Sequence, residues 1–277
     1  MLKDVKRLLA LICLSQVFFT YAAIARETLT IGGVGSLAPL VKLLIADYVS
    51  KHPDADVRLL HPPLGSTGGL RALAVGHLDV VLLGRELRAG ESGELHPWVK
   101  TPLVLVSAGG KTQGLSRKEL AEIFAGSRSV WDDGKPIRLV LRGAHESETR
   151  MLRSMSPDIS VAVEEALRRN AGPVAENDLE AVSMMASIPG SLGSTSLGLI
   201  TLEGLEGKKL QCVAIDGQTP EGGKLANYPW FREYYLVTMT KPTQATRAFL
   251  DYLQSPVALA MARKYAYLPM AKTPPQK

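Results

Sequence analysis

Apolar and polar positions along this chain recur at two periods, and the two periods take turns. Leu29 and Ile31 alternate with threonines ahead of Gly32-Gly33, which predicts a half-buried strand. Val57 and Leu59 predict a second short strand, and Ile137, Leu139 and Leu141 another alternating one. Asp79 to Leu83 and Leu103 to Val106 are unbroken apolar runs of the kind buried strands carry, and Tyr234 to Met239 is β-rich as well. Between these segments the spacing lengthens to 3.6. Leu40, Val41, Leu44, Ile45, Tyr48 and Val49 share one helical face, with Lys42, Asp47 and Lys51 off it. Strands alternating with helices predict βαβ units and a largely parallel sheet in an α/β fold.

Helix ends carry their own signals. Ser36 is placed to cap the first helix, and Pro53 follows its end. Ser116 and Glu119 form a capping box ahead of Leu120, Ile123 and Phe124. Asn177 and Glu180 repeat the pattern before Val182 and Met185, and Thr243 precedes Ala248, Phe249 and Tyr252. Gly109-Gly110 and Asn227-Tyr228-Pro229 are the best places for the chain to cross between two lobes. The division expected is a leader over 1–25, lobe one from 26–107 and 232–277, and lobe two from 108–231.

The first residues read as a signal peptide. Lys3, Lys6 and Arg7 form a positive start, Leu8 to Phe19 is an apolar stretch short for a membrane span, and Ala23-Ile24-Ala25 is a cleavage site. Export to the periplasm follows. Of two cysteines, Cys13 lies in the leader, so Cys212 has no internal disulfide partner and the fold must rest on its core. Cys212 reads as a small buried hydrophobe. The formal charge is +5, and removing a leader with three basic residues and one acidic one leaves about +3. That excess is too mild for a nucleic-acid footprint and modestly favours anionic ligands.

Three glycine- and serine-rich turns precede helical patterns: Gly33-Val34-Gly35-Ser36, Gly65-Ser66-Thr67-Gly68-Gly69, and Arg142 to Thr149. A helix start offers free N–H groups and the positive end of a dipole, and a glycine or hydroxyl residue lets an anion come close. Any one such turn is usually only a cap. Three of them with one arginine, Arg142, make the pattern of an oxyanion site.

At this point the residues reach a family. The run Leu120 to Gly126, then Trp131-Asp132-Asp133-Gly134-Lys135-Pro136, then Arg142, resembles the "IF-G…W-DGKP…R" segment of ABC-transporter phosphate-binding proteins, within the type II periplasmic binding protein superfamily. Gly32 to Leu40 is similar to their "GSGSTAPL" turn and Gly65 to Leu73 to "GSGGGIRAL". Gly190 to Gly193 is similar to "GAIG", and Asn227-Tyr228-Pro229 to "NYP". The resemblance covers nearly the whole mature chain. It implies a two-lobed fold, each lobe a mixed, mostly parallel sheet flanked by helices, joined by two hinge crossings. It also implies an anion site of Ser36, the N–H of Leu37, Ser66, Thr67 and Gly68 from lobe one, and Arg142, Ser147 and Thr149 from lobe two. A permease in the inner membrane is the implied partner, and a monomer without cofactor the implied form.

The sequence departs from that pattern in three places. Leu37 stands where the family has threonine. Gly84-Arg85 stands where it has serine followed by aspartate or arginine, and Arg85 cannot accept a proton from hydrogenphosphate as an aspartate could. Glu148 replaces the glycine of "SGT", where its carboxylate either repels an anion or accepts a hydrogen from one. Arg85 and Glu148 are therefore candidate residues too. Phosphate is the leading ligand, and a sensor or interaction protein of the same fold is the alternative. An enzyme is poorly supported. His52, His61, His77, His96 and His145 show no metal spacing, and no nucleophile elbow or Walker lysine is present.

Overall fold

The computed structural model describes residues 28–109, 114–203, 210–220 and 228–271. The expected leader, Gly110 and Asn227 lie outside these residues.

Strand β1 (Thr28–Gly33) enters a short 3-10 turn and helix α1 (Ala38–Lys51). After β2 (Asp56–Leu59), α2 (Gly65–Ala74) and β3 (Val80–Leu83) comes β4 (Glu94–Ala108), the longest strand described. Then follow α3 (Arg117–Ala125), β5 (Arg138–Leu139), β6 (Leu141–Arg142), α4 (Ser147–Ser154), α5 (Pro157–Arg168), β7 (Val174–Ala175) and α6 (Asp178–Ser187). The chain continues through β8 (Ser191–Ser196), α7 (Leu197–Leu202), β9 (Leu210–Val213) and β10 (Phe231–Thr238), and closes with α8 (Gln244–Leu253), α9 (Pro256–Arg263) and β11 (Leu268–Pro269). No described helix is long and apolar enough to cross a membrane.

The large sheet runs β2-β1-β3-β10-β4-β8-β5, with β9 and β11 also on β4. It is mixed, and the parallel character expected of it is confined to β1 with β2 and β3 and to β5 with β8. Every partner of β4 and β10 is antiparallel. β4 spans both halves, and β10 lies between β3 and the first half of β4, antiparallel to both.

The two lobes meet along β4. Residues Glu94 to Pro102 pair with β10, and Leu103 to Ala108 pair with β8 and β9. The change of partner thus falls at Pro102-Leu103, ahead of Gly109. Beside it the returning chain is tied in place: Leu103 N–H donates to Trp230 O at 2.9 Å, and Tyr228 Oη donates to Leu103 O at 2.5 Å. One core forms where α1, α8 and α9 pack on β1, β3 and β10, around Trp98, Tyr234, Phe249 and Tyr267. Another gathers Leu120 and Phe124 of α3, Trp131 of the loop before β5 and Ile159 of α5, with Leu139 of β5 and Leu192 of β8. Removing these large apolar side chains from water is what chiefly holds each half together.

The caps behave as their sequences require. Ser116 Oγ accepts from Glu119 N–H, and Glu119 reaches back to Ser116 N–H at 2.8 Å, while Asn177 and Thr243 cap α6 and α8. Ser36 does not cap α1; Leu37 holds that position and Ser36 sits inside the 3-10 turn. The expected strand over Ile137 to Leu141 is split, with β5 in the large sheet and β6 paired only with β7. Cys212 is half-buried on β9.

Candidate functional site

A cleft of about 460 Å³ opens between the lobes, within the ~300–1,000 Å³ range of small-molecule sites. Its lobe-one wall is built by close approach of α2 to the sheet. Gly33 has φ +130°, and a Cβ there would stand 2.1 Å from Leu82 O. A Cβ on Gly69 would lie 2.9 Å from Val81 Cγ1 and 3.2 Å from Gly33 Cα. Glycine at both positions lets the first turn of α2 sit on the strand ends, so Ser66 and Thr67 reach the cleft. Ser66 Oγ is fixed by accepting from Gly84 N–H at 3.2 Å.

The opposite wall comes from β6 and the start of α4. Arg142 is buried, and its side chain is only 4% exposed. Its Nη1 donates to Ala175 O at 2.6 Å, and its Nη2 reaches Glu146 Oε2 at 3.2 Å. Its Nε is buried without any partner. Thr149 Oγ1 donates to Arg142 O at 3.0 Å, which holds the backbone under the guanidinium. Ser147, at the N-terminus of α4, lines the cleft beside it.

Of the sequence-expected residues, Ser66, Thr67, Arg85, Arg142 and Ser147 line the cleft. Ser36, Leu37, Gly68, Glu148 and Thr149 do not. Ser36 lies fully buried behind the wall, its Oγ accepting from Tyr234 Oη at 3.0 Å, and Leu37 is buried in the core. Arg85 reaches the cleft with its charge already matched. Its two terminal nitrogens each donate to Glu91 at 2.6 Å, and that fork holds the Glu91 carboxyl down at about 2.

Arg232, on β10, is the residue that sequence reasoning missed. It lines the cleft, and its side chain is 4% exposed. Nη1 pairs with Glu148 and donates to Asp178 Oδ1 at 3.0 Å, while Nη2 donates to Ser147 Oγ at 2.9 Å. Glu148 and Asp178 are both buried and hydrogen-bonded to each other. Burial pushes Glu148 up to about 8, against the pull of Arg232. Burial opposes the charge on Asp178 as well, yet Arg232, the hydrogen bond from Glu148 and Arg142 together hold it well below its ordinary value. Burial thus favours the neutral form of Glu148, and Arg232 favours the charged form of Asp178. The carboxyl of Glu148 is buried against Arg232 and Ser147.

Among the described residues no group of histidines, cysteines and acids could hold a metal ion. What the arrangement offers is hydrogen-bond donors. Arg142, the Ser66 and Thr67 hydroxyls and the starts of α2 and α4 line one cleft, while the Ser147 hydroxyl already donates to Glu148 Oε2 at 3.2 Å.

Fold and cleft together define a two-lobed α/β ligand-binding protein. A family model described as a PBP superfamily domain matches residues 22–257, and the chain belongs to that superfamily. It is similar to the phosphate-binding protein PstS of Bacillus subtilis (strain 168), 25% identical over 258 residues, with 89% of this chain and 82% of that protein covered. Among solved structures it is similar to a putative phosphate ABC transporter substrate-binding protein with bound phosphate from Clostridium perfringens. That likeness has a TM-score of 0.71 and 16% identity, over 88% of this chain and 100% of the other. It is also similar to an ABC-type phosphate transport receptor from Vibrio cholerae, with a TM-score of 0.61 and 19% identity, over 87% of this chain and 99% of the other.

Proposed function

We propose that this protein is an exported solute-binding protein that captures a small oxyanion, phosphate foremost, between its lobes and delivers it to an ABC transporter permease. The observation that carries the reading is Arg142, buried in the cleft wall with Nε left without a partner. A buried donor without a partner costs about 1–3 kcal/mol, and an anion in the cleft would satisfy it. The α4 N-terminus supplies further donors on the same side. Ser66, Thr67 and the α2 N-terminus supply them from the other.

In this reading the lobes are residues 28–102 with 231–271, and 103–230, the hinge lying where β4 changes partners. The anion bridges them and shifts the population towards the closed form. The leader carries the chain to the periplasm, and the working form is a monomer without cofactor. Binding rather than catalysis is favoured because the similar proteins are named as binding proteins and receptors of transport, which also favours this over a sensor role. Equilibrium dialysis of the ligand-stripped protein against labelled phosphate, with sulfate and molybdate as competitors, tests it. Saturable uptake of one phosphate per chain is expected. Failure to retain any of the three anions would overturn the reading.

A further inference from the structure

Arg142 is a buried cation whose paired carboxylate is not buried with it. The Arg142 side chain is 4% exposed and that of Glu146 46%, and they meet at 3.2 Å between Nη2 and Oε2. Among the described residues no other carboxylate lies within ion-pair distance of Arg142. The buried acids Asp178 and Glu148 pair with Arg232 instead.

Glu146 is not what holds Arg142 in place. Arg142 Nη1 is fixed on Ala175 O at 2.6 Å, and the backbone beneath it by Thr149 Oγ1 on Arg142 O at 3.0 Å. Nor does the carboxylate serve its own helix. Glu146 holds the N-cap position of α4, where side-chain oxygens commonly accept from the first turn, and makes no such bond. Both residues line the cleft. A buried guanidinium left without an anion is costly, whereas a half-exposed carboxylate loses little by turning to water. The asymmetry decides which partner can leave: the carboxylate can swing out into solvent, and the guanidinium cannot.

We propose that Glu146 is a tethered counter-ion, which neutralises Arg142 while the cleft is empty, is displaced by the incoming oxyanion, and drives release when it returns. The proposal rests on the oxyanion-binding reading above and adds the residue that sets its affinity. Binding is then an exchange of anions on a guanidinium that always has one. Because Glu146 is four residues from Arg142 on the same chain, its return is intramolecular and needs no second molecule.

Calorimetric titration of the full, ligand-stripped chain with inorganic phosphate tests it, the wild type beside Glu146→Gln, which keeps the length and loses the charge. Without its competitor, phosphate should bind roughly tenfold tighter to the variant. The phosphate-free variant should also melt lower than the wild type, and saturating phosphate should raise its Tm by more. Glu146→Ala, which removes the reach as well as the charge, should tighten binding too. Equal or weaker phosphate affinity in the folded variants, or tightening in the glutamine variant alone, would overturn the proposal and leave the oxyanion reading standing. Phosphate binding by neither wild type nor variants would overturn both.

Discussion

Arg232 Nη1 donates to Asp178 Oδ1 at 3.0 Å, tying the strand that re-enters lobe one to the first residue of helix α6 in lobe two. The same guanidinium pairs with Glu148 and holds Ser147. One buried cation thus fixes the start of α4 and the start of α6, the two helix ends nearest Arg142. It acts as a spacer for the Arg142 wall of the cleft, and its charge lies against the buried carboxyls of Glu148 and Asp178.

Removing that cation should cost stability. Arg232→Met leaves Asp178 and Glu148 buried without their partner, and breaking a buried pair from one side costs about 3–5 kcal/mol. Urea unfolding at neutral pH measures it. A midpoint equal to that of the wild type would mean that the triad contributes nothing to the fold.

The raised pKa of Glu148 gives a pH signature. Glu148 lies above its ordinary value of 4.5, at about 8, so the folded chain holds this proton more tightly than the unfolded one. The stabilisation is complete below pH 4.5 and is lost as pH rises through 8. Arg232, Asp178 and Arg142 are the charges that act on it. Glu148→Gln removes the titration and keeps a donor for Asp178. Thermal melts from pH 5 to 9 should fall more steeply for the wild type than for the variant, and parallel curves would contradict the assignment.

Much of the fold was legible in the sequence, because amphipathic periods and caps are local. The faces of α1 and α3 and the capping box at Ser116 are set by residues within a few positions of one another. The strands that cross between lobes were harder to read. Pro97, Lys100 and Pro102 interrupt the apolar run of β4, so only Leu103 to Val106 stood out of a strand that begins at Glu94. In the cleft, Arg142, Ser147, Ser66 and Thr67 were legible from glycine-rich turns and family resemblance. Arg232 was not. It is the one arginine in the strand Phe231–Thr238, and its partners lie 54 and 85 positions away. The signal that could have found it is a lone arginine inside an apolar strand beside the expected hinge. The burial of Ser36 was not legible for the same reason, since its partner Tyr234 lies 198 positions away.

Ser36 gives a clean separation of fold from binding. Ser36→Ala leaves the buried Tyr234 hydroxyl without its acceptor, at a cost of about 1–3 kcal/mol. Chemical denaturation should show that loss, while phosphate affinity stays at the wild-type value. A large fall in affinity without a change in stability would place Ser36 among the ligand contacts after all.

Arg142 as the holder of an oxyanion in the cleft is the central claim. Calorimetric titration of the ligand-stripped protein with phosphate, beside an Arg142→Ala variant shown by circular dichroism to be folded, tests it most directly. One phosphate per wild-type chain is expected. The variant should lose roughly a hundredfold or more in affinity, since charge-assisted hydrogen bonds contribute about 1.5–3 kcal/mol each. Equal affinity in the two proteins would contradict the claim.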